Sequence, residues 1–260
     1  MAKDKLEIVK IGGNIIEDEN ILANFLKDFS SINENKILVH GGGKSATKLA
    51  SKLGLKPVMV EGRRITDKPN LDIAVMVYAG LINKNIVAGL QSENCNAIGF
   101  SGVDANIILS EKRPVKDIDY GFVGDIVKVD NTALKLFIEN GYTPVFCAIT
   151  YDKKGQLLNT NADTIASEIA IAMSESYKVS LNYIFELKGV LKNFEDKNSV
   201  IPFINIEKYK QLVQDGIVSN GMLPKLHNCF NALKRGVQKV KIGDSSMINE
   251  TASLYTTLSL

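Results

Sequence analysis

Ile37-Leu38-Val39-His40-Gly41-Gly42-Gly43-Lys44 is the stretch whose reading decides the fold. A short, continuously apolar run suits a strand buried on both faces, as in a parallel sheet. It runs straight into three glycines, and residues from Lys44 to about Leu53 then take up helical spacing. A strand that feeds a helix through a tight turn is half of a strand–helix–strand unit. Such units give a parallel sheet with helices on its faces.

The same alternation extends in both directions. Upstream, Leu6 to Ile11 is β-rich and stopped by Gly12-Gly13, and a helix is expected from about Asp18 to Ser31. Downstream, Val58-Met59-Val60 reads as a brief strand, followed by an exposed loop through Glu61, Gly62, Arg63, Arg64, Ile65 and Thr66. Pro69 suits the first turn of a helix running to about Glu93, with Ile73, Val77, Leu81 and Ile82 inward. Cys95–Gly99, Thr143–Ala148, Val179–Leu187 and Val237–Ile242 read as strands, and Asn205–Gln214 and Ser219–Lys234 as helices. Gly121 to Asp130 alternates at period two, which predicts an antiparallel hairpin, with Asn131 capping the next helix. There is no internal repeat. The 260 residues read as one α/β unit whose halves, 1–160 and 161–260, meet at the central stretch.

Composition narrows the function. The balance of 31 basic against 29 acidic residues argues against nucleic acid or a membrane surface as partner. No apolar run is expected to span a membrane, and the charged N-terminus lacks the apolar core of a signal peptide. The three cysteines, Cys95, Cys147 and Cys229, share no CxxC spacing, so the expected compartment is the reducing cytoplasm.

The central stretch is Leu157-Leu158-Asn159-Thr160-Asn161-Ala162-Asp163-Thr164, a strand end that opens an apolar-periodic helix. Asn161 or Asp163 can cap that helix, and for an isolated N-x-N-x-D nothing more is needed. Its company argues for more. Lys10 stands at a strand end before two glycines, where ligands bind in open α/β sheets. The three glycines let backbone approach an anion at a helix N-terminus. Lys225 follows Asn220-Gly221-Met222 on a basic helix face that solvation alone would explain. Two lysines, an aspartate and strand-end glycines are the parts phosphoryl transfer needs. Arg64 is either half of a solvated pair or a bidentate clamp for a carboxylate. His40 and His227 read as a satisfied strand-end histidine and a surface one, with no metal cluster around them.

Two sharper motifs compete. A P-loop ending at Gly43-Lys44-Ser45 requires glycine at position 38, which is leucine. A dinucleotide fingerprint, Gly41-x-Gly43-x-x-Ala46 with Glu61 as ribose ligand, does fit, and would make the chain an NAD-dependent oxidoreductase. It leaves Lys10 and the Asn/Asp stretch without a role. A non-catalytic regulator is the third reading.

The ordered set Lys10-x-Gly-Gly, His40-Gly-Gly-Gly, Gly62-Arg63-Arg64-Ile65-Thr66, Asn159-x-Asn161-x-Asp163 and Asn220-Gly-Met-x-x-Lys225 closely resembles the N-acetylglutamate kinases of the amino-acid kinase superfamily. The resemblance spans nearly the whole chain. It implies an α/β three-layer sandwich, in which an open, mainly parallel eight-stranded sheet lies between helical layers. It also implies ATP-dependent phosphorylation of the side-chain carboxylate of an N-acylated glutamate, the second step of arginine biosynthesis. The N-terminal half would hold the acyl-glutamate and the C-terminal half ATP, with Mg2+ carried by the nucleotide and the protein a homodimer. Lys10 and Lys225 would stabilise the transferring phosphoryl group and Asp163 would orient them. Gly42, Gly43, Arg64 and Asn159 would hold the acceptor. Gly12, Gly13, Asn161, Glu186, Gly189, Ser219 and Gly221 would serve the nucleotide, with the amides of Gly12 and Gly43 on phosphate oxygens.

The chain departs from the family pattern in places. Phe185-Glu186-Leu187-Lys188-Gly189 stands where relatives carry Ser/Thr-Asp-x-x-Gly, and Cys147-Ala148-Ile149-Thr150 where they often carry a glycine. The second change could reshape the acyl pocket, so N-succinyl-glutamate is the alternative substrate. The first strand begins by about Leu6, with no preceding helix of the arginine-inhibited relatives, so neither arginine feedback nor a hexamer is expected.

Overall fold

The computed structural model describes residues 3–60, 63–218, 222–249 and 254–260. In chain order the strands are β1 (Lys5–Ile11), β2 (Asn35–His40), β3 (Met59–Val60), β4 (Arg63–Arg64), β5 (Ala97–Phe100), β6 (Ile108–Lys112) and β7 (Gly124–Val129). They continue with β8 (Thr143–Phe146), β9 (Ile149–Tyr151), β10 (Leu157–Asn159), β11 (Lys178–Ile184), β12 (Phe203–Ile204), β13 (Lys239–Gly243) and β14 (Thr256–Leu258). The α-helices are α1 (Gly13–Glu17), α2 (Glu19–Ser30), α3 (Gly43–Lys52), α4 (Lys68–Val75), α5 (Asn83–Ser92), α6 (Asn131–Glu139), α7 (Ala162–Met173), α8 (Ile206–Gln214) and α9 (Leu223–Lys234).

Eight strands form the central sheet in the order β12-β14-β13-β11-β1-β2-β8-β5. Every neighbouring pair is parallel except β13 with β14. Helices α1 to α5 contact one another in one layer, and α6, α7 and α9 in the other. The expected fold class is therefore found. β1 is the pivot, because Ile11 is in register with His40 of β2 on one side and Ile184 of β11 on the other. Chain order runs outward in opposite directions from that pair, so β1 and β11 mark a switch point. Open α/β sheets bind ligands outside the strand C-termini at such a point. Gly12, Gly41 and Phe185 emerge there side by side.

Several expectations need correcting. The helix expected from Pro69 to Glu93 runs from Lys68 to Ser92, but Met76–Ile82 within it is a π-turn segment. A π turn holds an extra residue, so the inward face rotates. Tyr78 is buried beside Val77 and Ile82, while Leu81, expected inward, is 59% exposed. By length and composition this helix is also apolar enough to cross a membrane. Its inner face, with Ile73, Val77, Ile82, Ile86 and Leu90, is buried in the core of the domain. The cap of α6 is Asp130, whose carboxylate accepts from Thr132 and Ala133 N–H; Asn131 is the first helical residue.

The period-two stretch does form an antiparallel ladder, but its partner is β6, which carried no sequence signal, and a bulge lies between Leu109 and Ser110. With β9 and β10 these make a second sheet, β10-β9-β6-β7. Gly121 and Val123 reach beyond it to bridge Thr66 and Asn159. That link joins the β3–β4 hairpin to the central stretch. The helix expected over Ser219–Lys234 is described from Leu223, and residues 219 to 221 lie outside the described residues.

Candidate active site

Asn161, not Asp163, caps α7. Its side chain accepts from the N–H groups of Asp163 at 2.8 Å and Thr164 at 3.1 Å. Asp163 is left in the first turn of α7 with its carboxylate free to face the strand ends. Lys10, at the end of β1, places Nζ 2.7 Å from Asp163 Oδ1. The side chains are 15% and 18% exposed, so the pair is shielded yet keeps an open edge. The contact is an ion pair rather than an aligned hydrogen bond, and Oδ1 retains acceptor capacity. Burial works against the Asp163 charge, but Lys10 and then Lys225 outweigh it and hold its pKa below the usual aspartate value. Lys225, exposed on α9, rests its ammonium 5.2 Å from the Phe185 ring centroid. Behind Asp163, the buried Tyr183 hydroxyl donates to its backbone carbonyl at 3.1 Å.

The glycine turn is shaped by what packs on it. A Cβ on Gly42 would stand 2.6 Å from both Ile82 Cδ1 and Tyr78 Cδ1, so no larger residue fits against the π-turn helix. Gly42 is the N-cap of α3 and Gly43 its first residue, so the first-turn amides of α3 have no helical partner. His40 fixes the turn from beneath. It is fully buried, with Nδ1 2.8 Å from the Gly41 carbonyl and Nε2 3.1 Å from Asn83 Nδ2, which also donates to Val145 O. These partners select the neutral Nδ1–H tautomer, and burial holds the ring pKa down to about 4. Gly12 departs from its expected role, because its N–H donates to Ile184 O at 2.9 Å.

Arg64 is 9% exposed and reaches across the cleft, with Nη2 donating to Gly43 O at 2.9 Å and Thr47 Oγ1 at 2.5 Å. Both acceptors are neutral, so its charge has no carboxylate partner among the described residues. Asn159 Nδ2 donates to Thr66 Oγ1 at 3.0 Å, and Thr66 in turn donates to Arg64 O. The Arg64 loop and the central stretch are thus one hydrogen-bonded unit.

Two spaces meet at this centre. An inner cavity of about 190 Å³ is lined by Lys10, Gly12, Gly13, Phe185, Glu186 and Met222, among others. A wider cleft of about 1540 Å³ is lined by Gly42, Gly43, Arg64, Asn159 and Asn161, among others. Asp163, Lys225 and Asn228 line both. Gly189 lines neither: a Cβ there would meet Thr256 Oγ1 at 2.6 Å, so its position is one of packing. Ser219 and Gly221 lie outside the described residues, as does Glu61.

Sequence reasoning missed Asn228, Tyr78, Arg113 and Glu17. Glu17 accepts from Lys48 and Ser45 at the cleft rim, contacts that hold its pKa down despite partial burial. A polar residue three positions beyond Lys225, about one turn along the same face of α9, is the only hint the chain offers of Asn228. Among the described residues no three His, Cys, Asp or Glu gather to hold a metal.

Two lysines, a shared carboxylate and helix-start amides between two ligand spaces define a group-transfer enzyme that handles anionic substrates. The family model for the amino acid kinase family matches residues 5–244, and the chain belongs to that family. It is 55% identical over 259 residues to an acetylglutamate kinase from Cytophaga hutchinsonii, covering 98% of each chain. It is 54% identical to an acetylglutamate kinase from Phocaeicola vulgatus, covering 95% of this chain and 96% of that one. In fold it is similar to carbamate kinase from Giardia lamblia bound to AMP-PNP, with TM-score 0.72 and 13% identity, covering 99% of each chain. It also matches an N-acetylglutamate synthase from Neisseria gonorrhoeae complexed with coenzyme A and N-acetyl-glutamate, at TM-score 0.84 and 18% identity. All of this chain and 60% of that one are covered. The chain is a kinase, and the dinucleotide oxidoreductase reading falls.

Proposed function

We propose that this kinase transfers the terminal phosphoryl group of ATP to the γ-carboxylate of N-acetyl-L-glutamate, giving an acyl phosphate and ADP within arginine biosynthesis. The name carried by the relatives at about 50% identity supports the substrate. The observation that carries the chemistry is that Asp163 and Lys225 line both spaces while Lys10 pairs with Asp163.

A carboxylate acceptor is already ionised near neutral pH and needs no general base, so the barrier lies in bringing anions together. Lys10 and Lys225 offset charge on the transferring group, and Asp163 keeps Lys10 aimed. Arg64 forks onto the α-carboxylate of the acceptor, and Asn159 holds its acyl amide. The amides of Gly43 and Lys44 take anionic oxygen at the start of α3, with Gly42 admitting the close approach. Gly13, Glu186 and Lys225 face the nucleotide from the inner cavity, whereas Asn161, expected beside them, caps α7 and lines the wider cleft. In this reading residues 1–160 bind the acyl-glutamate and 161–260 bind ATP.

Mg2+ fits as a companion of the nucleotide rather than a resident ion, since the chain gathers no carboxylate cage among the described residues. When bound it would neutralise phosphate charge, with Asp163 and Glu186 the nearest acidic groups on the inner cavity. The protein works in the cytoplasm as a homodimer, and the exposed Met76 and Leu81 on the long helix support a paired face. The test is ADP release that depends on both ATP and N-acetylglutamate. ADP release indifferent to any acylated glutamate would overturn the reading.

A further inference from the structure

Arg113 carries no role in the mechanism above, yet it lines the same cleft as Arg64 and Asn159. It follows β6, and its N–H donates to Val123 O at 2.8 Å, one step beyond the Lys112–Gly124 pair. Val123 bridges Asn159 on its other side. Arg113 and Asn159 therefore flank Val123 two strand spacings apart, about 10 Å.

The guanidinium is only partly satisfied. Nε lies 3.1 and 3.2 Å from the two Asp125 oxygens and Nη2 lies 2.6 Å from Oδ1, while the Tyr120 ring centroid is 5.4 Å from Cζ. Nη1 is shielded from solvent and has no hydrogen-bond partner among the described residues. A buried charged donor without an acceptor is uncommon and costly. An arginine kept only to tie β6 to β7 would need no third donor beside a substrate cleft. The cleft it lines also carries the apolar side chains of Val123, Ala148 and Met59. An acetyl group offers such a wall a methyl and gives Arg113 nothing. A four-carbon dicarboxylic acyl arm offers the same wall two methylenes and ends in a carboxylate, the acceptor that a guanidinium matches best.

We infer that Arg113 is a specificity-determining residue that binds a second carboxylate on the acyl group, so that glutamate acylated by a dicarboxylic acid of succinyl size is preferred to the acetyl form. This rests on the acyl-glutamate kinase reading. Asp125, 48% exposed, can share the guanidinium with the ligand or swing into water.

The experiment measures kcat/KM for N-succinyl- and N-acetylglutamate with the wild type, Arg113→Ala and Arg113→Lys. The expected wild-type ratio favours succinyl by about tenfold or more. Arg113→Ala should collapse that ratio at least about tenfold through KM of the succinyl substrate, with KM for ATP unmoved. Arg113→Lys, which keeps charge without the fork and guards against a folding artefact, should fall between. A wild-type preference for acetyl, or a ratio indifferent to both substitutions, overturns this inference alone. Absence of turnover with either substrate overturns the kinase reading, and the inference with it.

Discussion

Lys10 on β1 and Asp163 in the first turn of α7 lie far apart in the chain, yet their charged atoms stand 2.7 Å apart at the switch point of the sheet. The pair exists because β1 ends where β2 and β11 end, and because Asn161 takes the capping duty that Asp163 could have taken. In the proposed transfer Asp163 acts as an orienting anion rather than a base. Against the pull of burial, Lys10 and Lys225 hold its pKa below the usual aspartate value, which favours the charged form.

Lys225→Ala tests the second cation. Lys225 is exposed and held over the Phe185 ring, so its loss should leave folding intact and lower kcat by about 10²- to 10³-fold, as removal of one electrostatic stabiliser does. Steady-state kinetics check this, and an unchanged kcat removes Lys225 from the transfer step.

Arg64→Ala tests the acceptor side. KM for the acylated glutamate should rise steeply while KM for ATP stays within about twofold. Because Arg64 also ties the hairpin to Gly43 and Thr47, Arg64→Lys is the control for local collapse, and it should restore little affinity since the fork is lost. A rise confined to the ATP KM contradicts the division of the chain.

Gly42→Ala tests the packing under the glycine turn. The added carbon would meet Ile82 and Tyr78 at 2.6 Å, an overpacking that costs roughly 1–3 kcal/mol and shifts α3 outward. A lower melting temperature and a raised acceptor KM should appear together. A neutral substitution would mean the turn is not held by the π-turn helix.

His40 makes stability depend on pH. Its pKa falls from 6.5 to about 4 on folding, so the unfolded chain takes up the proton first. Stability from this group is complete above 6.5 and is lost as pH falls toward 4, by up to about 3 kcal/mol. The physical conflict is that a protonated Nε2 would face the Asn83 amide donor. Urea unfolding at several pH values, compared with His40→Gln, should give a flatter acid slope for the variant. Identical slopes would contradict it.

Much of this was legible in the chain. The apolar run into three glycines gave the parallel sheet, because a strand buried on both faces has no alternation to hide. Lys10, Asn159 and Asp163 stood out because each sits where an apolar run stops, whereas Arg64 and Lys225 were set apart from solvated charges only by the ordered set of motifs. What stayed hidden depends on three dimensions. Leu81 faces outward because a π turn shifts register without any marker residue. The Gly12 amide is taken by Ile184, a pairing that follows only from strand order. β6 is short, its pairing is bulged, and its partner lies across a long loop, so no local pattern reveals it. Arg113 and Asn228 reach the cleft through that same long-range assembly.

The most direct test of the central claim is to trap the acyl phosphate with hydroxylamine, supplying ATP with N-acetyl-, N-succinyl- or free glutamate. The account predicts ATP-dependent hydroxamate with the acylated substrates and at most a trace with free glutamate. Hydroxamate from free glutamate at a comparable rate, or none from any of the three while ATP still binds, would contradict it.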